Sequence, residues 1–178
     1  MLSIFENILR IFNAIFLILC LAFASALVST QDHVTSRVNI CLFTAAWGLL
    51  TDSIYGIFAN FIAVLTWPLF LVTFDFLGFV FTFSSATALA VGIRVHSCGN
   101  HVYLDRNGIT QGSGNRCREA QALCAFLFFS TFIFLVKLVM NTIAMFQEGV
   151  FSSRPSGVRR RRGAAMPDIN GAPAISQV

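Results

Sequence analysis

Asp52-Ser-Ile-Tyr-Gly-Ile-Phe-Ala-Asn-Phe-Ile-Ala-Val-Leu-Thr-Trp-Pro-Leu-Phe-Leu-Val-Thr-Phe-Asp75 is the stretch whose reading decides the fold. From Ser53 to Phe74 it contains no charged side chain, and the carboxylates that bracket it are themselves set in apolar sequence. A water-soluble domain is not written this way. A bilayer accommodates such a run, because its side chains face hydrocarbon while the backbone groups bond within a helix.

The rest of the chain agrees. Of 178 residues, 56% are hydrophobic and only 11% charged, with a mean hydropathy of +0.75, far from the usual globular balance. Twenty phenylalanines against eight acidic residues exceed what a soluble core of this size can hide. The net charge of +4 equals the run Arg159, Arg160, Arg161 and Arg162, so the remainder of the chain is neutral.

About 20 helical residues span the roughly 30 Å hydrocarbon layer. Spans are predicted near 4–29, 38–61, 67–93 and 119–146, anchored on the charge-free runs Ile11 to Gln31, Phe76 to Ile93 and Ala120 to Val136. Thr66, Trp67 and Pro68 mark the turn between the middle two, since proline suits a first helical turn and tryptophan the membrane interface. A cleaved signal peptide is the alternative for the first span, with Arg10 ahead of an apolar run ending in Ala22 to Ala26. That run is longer than a usual signal core, which favours an uncleaved helix. The expected fold is an all-α integral membrane four-helix bundle over 1–148, antiparallel and up-down. Residues 149–178 form a disordered, basic cytoplasmic tail, because no apolar periodicity survives after Glu148.

Four passes put both termini on one side. Arginine counting hardly decides which: Arg10, Arg154 and the run of four face Arg37, Arg94, Arg106, Arg116 and Arg118. Cysteine decides it. Cys98 and Cys117 flank a polar, glycine-containing loop and are candidates for a disulfide in an oxidising compartment, which makes the termini cytoplasmic. Two unpaired thiols, or a metal site from His96, Cys98, His101 and Cys117, are the alternatives, the latter with no standard zinc spacing. Cys20, Cys41 and Cys124 fall within spans as small apolar fillers.

Asp52 and Asp75 are equally far from the turn near residue 63 or 64, so a hairpin brings them to one depth, about 10 to 15 Å in from the cytoplasmic hairpin. Lys137 and Asn13 lie at matching distances from the ends of their own helices. An intramembrane polar layer of Asn13, Asp52, Asp75 and Lys137 is therefore predicted, since charges facing lipid are costly and turn inward to pair. The expectation is that Lys137 pairs with Asp75, while Asp52 is held by polar neighbours or is protonated.

Gly48, Asp52 and Gly56 are spaced by four, as are Ser84, Ala88 and Gly92. Both stripes read as helix-packing faces where a neighbouring backbone can approach, with a lipid or sterol groove as the alternative. The phenylalanines of the third span cover several of its faces, as lipid contact requires. No haem, flavin or nucleotide motif is present, no cofactor or nucleic-acid partner is expected, and the scattered histidines His33, His96 and His101 read as solvated loop residues. In the tail, Arg159 to Arg162 are candidates for contact with anionic headgroups. Ile175, Ser176, Gln177 and Val178 end in a carboxylate of the kind peptide-capturing domains accept.

Five stretches carry a resemblance: Asn7-Ile-Leu-Arg10, Thr51-Asp-Ser-Ile-Tyr-Gly56, Ala90-Val-Gly-Ile-Arg-Val-His-Ser-Cys98, Ile109-Thr-Gln-Gly-Ser-Gly-Asn-Arg-Cys-Arg118 and Ile175-Ser-Gln-Val178. Together they resemble the fungal non-classical export protein family, among the MARVEL-type four-helix membrane proteins. The resemblance implies a multi-pass plasma-membrane protein with cytosolic termini, located in microdomains that eisosomes support. It also implies roles in organising those domains, in responding to sphingolipid status and in exporting leaderless proteins, with no enzymatic activity.

The expected function is lateral organisation of the membrane. Expected partners are sphingolipid- or sterol-rich lipids, anionic headgroups, eisosome coat proteins, other membrane proteins and further copies of the chain. The alternative is a small oligomeric transporter or channel using Asp52, Asp75 and Lys137, although the paired broken helices of a carrier are missing from the pattern. A claudin-like junctional protein fits poorly, because the first outer loop is short and lacks paired cysteines.

Overall fold

In the computed structural model of the chain, residues 4–54, 56, 58, 68–94 and 97–148 are described. Within them α1 spans Ile4–Ser29, α2 Ser36–Gly48, α3 Pro68–Ile93, α4 His101–Arg106 and α5 Gly114–Glu148. α2 runs directly into a π-helical segment, Leu49–Ile54. Helix α1, α3 and α5 are each long and apolar enough to cross a membrane, and α2 with its π-helical extension is shorter.

Cross-helix contacts give the topology. Arg10 meets Asp52 and Leu17 faces Gly48, so α1 and α2 are antiparallel. Thr44 bonds Ser85 at 2.6 Å while Arg37 lies against Gly92, which sets α3 against α2 in the same sense. Lys137 meets Asp75 and Phe134 packs on Gly78, pairing α5 with α3. Ser130 reaches Asn13 and Arg116 reaches Leu27, closing α5 back on α1. The four helices thus form an up-down ring in the order α1, α2, α3, α5.

The interior divides into two halves. Toward the loops carrying Cys98 and Cys117, the core is apolar and sets small side chains such as Cys20, Ala24, Cys41, Ala45, Ala86 and Ala120 against Leu27, Leu89, Ile93, Ile109, Leu123 and Leu127. Small residues let helices approach closely where lipid supplies no hydrophobic driving force of its own. At the other half the interior is polar. Large apolar side chains such as Phe12, Phe43, Phe76, Phe83, Phe129 and Phe132 point outward, as a lipid-facing surface demands.

Several expectations are corrected. α5 begins at Gly114 rather than near 119, because Asn115, Arg116, Arg118 and Glu119 are polar but helical; hydropathy marks the membrane boundary, not the start of the helix. The 96–118 loop contains α4, begun by Asn100, whose side chain accepts from the Tyr103 N–H at 3.3 Å. On α3 the stripe of Ser84 and Ala88 is not the packing face. Ser84 is exposed and Ala88 half-buried, while Thr82, Ser85, Ala86 and Leu89 are buried. Small residues occur all round this part of α3, so spacing alone does not choose the inward side.

The turn at Thr66 and Trp67, the end of the 38–61 span, His96, and the tail with Arg159, Arg160, Arg161, Arg162, Ile175, Ser176, Gln177 and Val178 lie outside the described residues.

Candidate functional site

The polar half of the interior is a single connected layer. Lys137 of α5 has a fully buried side chain and bridges two carboxylates. Its Nζ lies 2.8 Å from Asp75 Oδ1 and also donates to Asp52 Oδ1. Asp52 receives a second cation from α1: Arg10 Nη1 lies 2.6 Å from Oδ1 and also donates to the Asp52 carbonyl at 3.2 Å. Asn13, one turn further along α1, donates to Asp52 Oδ2 and accepts from Ser130 Oγ at 2.6 Å. Asn141 Nδ2 donates to Asp75 Oδ2. All four helices of the ring contribute, and the Lys137–Asp52 contact spans its diagonal.

The structure therefore brings Asn13, Asp52, Asp75 and Lys137 together, but the pairing differs from the expectation. Lys137 is shared between the two acids, and Asp52 gains Arg10, so two cations face two carboxylates. Burying four ionisable groups is tolerable only when each is paired and its remaining lone pairs are occupied. Arg10, Ser130 and Asn141 were not anticipated. Arg10 reads in the sequence as a charge flanking the first span, yet it is buried at 7% exposure. The signal that could have found it is helical phase, because Arg10 and Asn13 are three apart on one face of α1, and buried Glu6 lies one turn earlier.

Local backbone shape makes the layer possible. The π-helical turn at Leu49–Ile54 contains Asp52, and π segments are characteristic of functional sites. Gly48 and Gly56 admit side chains of α1 rather than its backbone, which corrects the sequence reading. A Cβ at Gly48 would stand 3.0 Å from Leu17 Cδ1, and one at Gly56 would stand 2.9 Å from Arg10 Cδ. Gly78, three residues past Asp75, does the same for Phe134, whose ring lies 4.7 Å from the Lys137 ammonium. A cavity of about 260 Å³ opens between α1 and the π segment, lined by Asn7, Arg10, Asp52, Ser53 and Gly56 among others. Among the described residues, Arg10 Nε and Ser53 Oγ are buried without a hydrogen-bond partner.

At the opposite end Cys98 and Cys117 form a disulfide with Cα atoms 5.7 Å apart. Gln111 clips the two loops there, accepting from the Asp32 N–H at 2.8 Å and donating to the His33 carbonyl at 2.9 Å. Arg116 is buried and donates to the Leu27 and Ile109 carbonyls and to Thr30 Oγ1. Tyr103 donates to the Ile93 carbonyl at the end of α3. Burial pushes its phenol above the ordinary value, with nearby Arg94 acting in the other direction. Cys20, Cys41 and Cys124 are free thiols in the helices. Among the described residues no three of His, Cys, Asp and Glu come close enough to hold a metal ion.

A lipid-facing helical ring around sequestered ion pairs is the architecture of an integral membrane protein, and the family match places it in the MARVEL class. Residues 3–140 match the model of that family, described as a membrane-associating domain. The chain belongs to the non-classical export protein family. It is 54% identical over its full length, and over the whole of the relative, to non-classical export protein 2 of Saccharomyces cerevisiae. It is 48% identical to non-classical export protein 102 of Candida albicans, covering 88% of this chain and 94% of that one. A Schizosaccharomyces pombe homologue is 34% identical over 78% of the chain and 77% of its own length. The relatives are named for non-classical export, and the matching family model is of a membrane-associating domain. No solved structure matches the chain.

Proposed function

We propose that this protein is a lateral organiser of the plasma membrane. In this reading it helps to form or maintain eisosome-associated microdomains, responds to sphingolipid status and supports the localisation or non-classical export of other proteins. Both termini are cytoplasmic, and its partners are sphingolipid- or sterol-rich lipid, coat proteins and further copies of itself. One observation carries the reading. The exterior presents many large aromatic and aliphatic side chains while the polar groups are paired inside, so interaction free energy is spread over a surface rather than focused at a reactive centre. The names of its relatives support the export element.

The cavity beside Asp52 favours a second reading, a small oligomeric transporter in which Asp52, Asp75 and Lys137 handle protons or cations. It is the weaker one, because both carboxylates already hold cationic side chains and an ion carrier must release them. Imaging a tagged full-length chain before and after sphingolipid depletion, with flux measured in parallel in reconstituted liposomes, separates the two. An organiser redistributes on depletion, its removal disperses neighbouring membrane proteins, and flux stays at background. Uniform fluorescence throughout, together with flux abolished by Asp52→Asn, overturns the organiser reading in favour of transport.

A further inference from the structure

Five arginines sit at the end of the bundle that carries the disulfide, and one of them, Arg116, is consumed by the loop scaffold. Three others converge. Arg37 from the first turn of α2, Arg94 just past α3 and Arg106 at the end of α4 line one groove of about 860 Å³. All three side chains are exposed, and among the described residues none of the three guanidinium groups has an ion-pair or hydrogen-bond partner. Among the described residues lining the groove there is no carboxylate. From these observations we propose that it binds the phosphate of an anionic phospholipid headgroup, independently of whether the protein organises microdomains.

The neighbouring backbone is shaped for such a cluster. A Cβ at Gly92 would lie 2.9 Å from Arg37 Nη1, so the bare glycine lets that guanidinium cross the end of α3. Arg94 holds φ of 52°, a left-handed conformation that is uncommon and unfavourable for a residue other than glycine. Neutralising the C-terminal dipole of α3 is the ordinary use for these cations. Here the Gly92 and Ile93 carbonyls are already taken by Asn107 Nδ2 and the Tyr103 hydroxyl, which leaves the guanidinium donors available. Planar, forked guanidinium groups match phosphate oxygens bidentately.

Position and lining favour a lipid over a soluble anion. The groove sits where α2 begins and α3 ends, which is headgroup level for these membrane helices. Val34 and Val102 line it and are 77% and 62% exposed, apolar surface suited to a glycerol backbone and upper acyl chain. Among the described lining residues a zwitterionic headgroup meets no acidic side chain for its ammonium, which favours an anionic phosphodiester.

The full chain, disulfide intact, in phosphatidylcholine nanodiscs is to be titrated with fluorescent phosphatidylglycerol and, separately, with inorganic phosphate. Saturable enrichment of the labelled lipid is expected. Each of R37Q, R94Q and R106Q should weaken it about fivefold, and the triple variant about a hundredfold. R118Q, which removes an exposed arginine of the same end outside the groove, should leave binding unchanged. The single variants alter surface side chains and keep the test valid if the triple variant fails to fold. Equal binding by the single variants and the parent chain, or an equal loss with R118Q, overturns the site. Displacement of the lipid by millimolar inorganic phosphate overturns its assignment to a lipid headgroup.

Discussion

The ring of Phe134 occupies the space that a side chain at Gly78 would need. A Cβ there would stand 2.5 Å from Phe134 Cε1, and the same ring flanks the Lys137 ammonium. Gly78→Ala is expected to destabilise the protein by about 1–3 kcal/mol through overpacking. Combining it with Phe134→Leu should recover part of the loss, since residues in contact are not additive. Thermal unfolding in detergent measures both, and strictly additive shifts would contradict the packing assigned to this pair.

Lys137 is the shared member of the ion layer. Replacing it with leucine leaves Asp75 with only Asn141 among the described residues, while Asp52 keeps Arg10 and Asn13. The single variant should lose about 3–5 kcal/mol, the usual cost of stranding a buried charge. Adding Asp75→Asn should restore more stability than adding Asp52→Asn. The reverse ranking in denaturation experiments would mean that Lys137 serves Asp52 first.

Gly56→Ala tests the seat of Arg10. The added methyl would meet the arginine side chain at 2.9 to 3.3 Å, so the guanidinium must move off Asp52 or α1 must shift. A loss of about 1–3 kcal/mol is expected from this crowding. In an Arg10→Gln background, with a shorter side chain in the notch, the same substitution should cost less. An undiminished penalty in that background would rule out the proposed contact.

Reduction of Cys98–Cys117 opens the covering loop. About 3 kcal/mol of stabilisation is expected from closing a loop of this length in the chain-entropy model. Limited proteolysis after reduction should cut first between these residues. Labelling of the released thiols in intact cells by an impermeant maleimide also tests the proposed orientation, which requires the label to reach them from outside.

Tyr103 gives a pH test. Burial favours the neutral phenol, so it titrates above the ordinary tyrosine value of about 10, and its bond to the Ile93 carbonyl requires the proton. The stabilisation it supplies is therefore complete below the ordinary value and is lost as pH rises through the elevated one. Ultraviolet titration of a Tyr55→Phe variant, in which Tyr103 is the remaining tyrosine, follows this directly. Ionisation below the free-tyrosine value would contradict the described environment.

Much of the architecture was legible because charge is rare in this chain. Asp52, Asp75 and Lys137 stand out against apolar sequence, and equal depth from a hairpin relates two of them without any structure. Arg10 was harder, since an arginine ahead of a span ordinarily signals topology. Ser130 and Asn141 are uncharged and carry little penalty at a helix surface, so nothing in their sequence context announces burial. The glycines were visible, but spacing reveals only that something comes close; whether it is backbone or the long side chain of Arg10 depends on the neighbouring helix. α4 is six residues long and depends on the Asn100 cap, a signal too local for any periodicity to expose.

The wide turn at Leu49–Ile54 amounts to one residue more than α-helical winding needs to cover the same rise. Winding the same residues as an ordinary α-helix would instead rotate everything downstream by about 100° relative to Cys41 and Thr44. Asp52 and Gly56 would then leave the faces on which Lys137 and Arg10 meet them. The segment acts as a phase insert, so deleting one residue within it, which lets the helix rewind with its downstream faces kept, should be less damaging than deleting one from the regular turns of α2 before it.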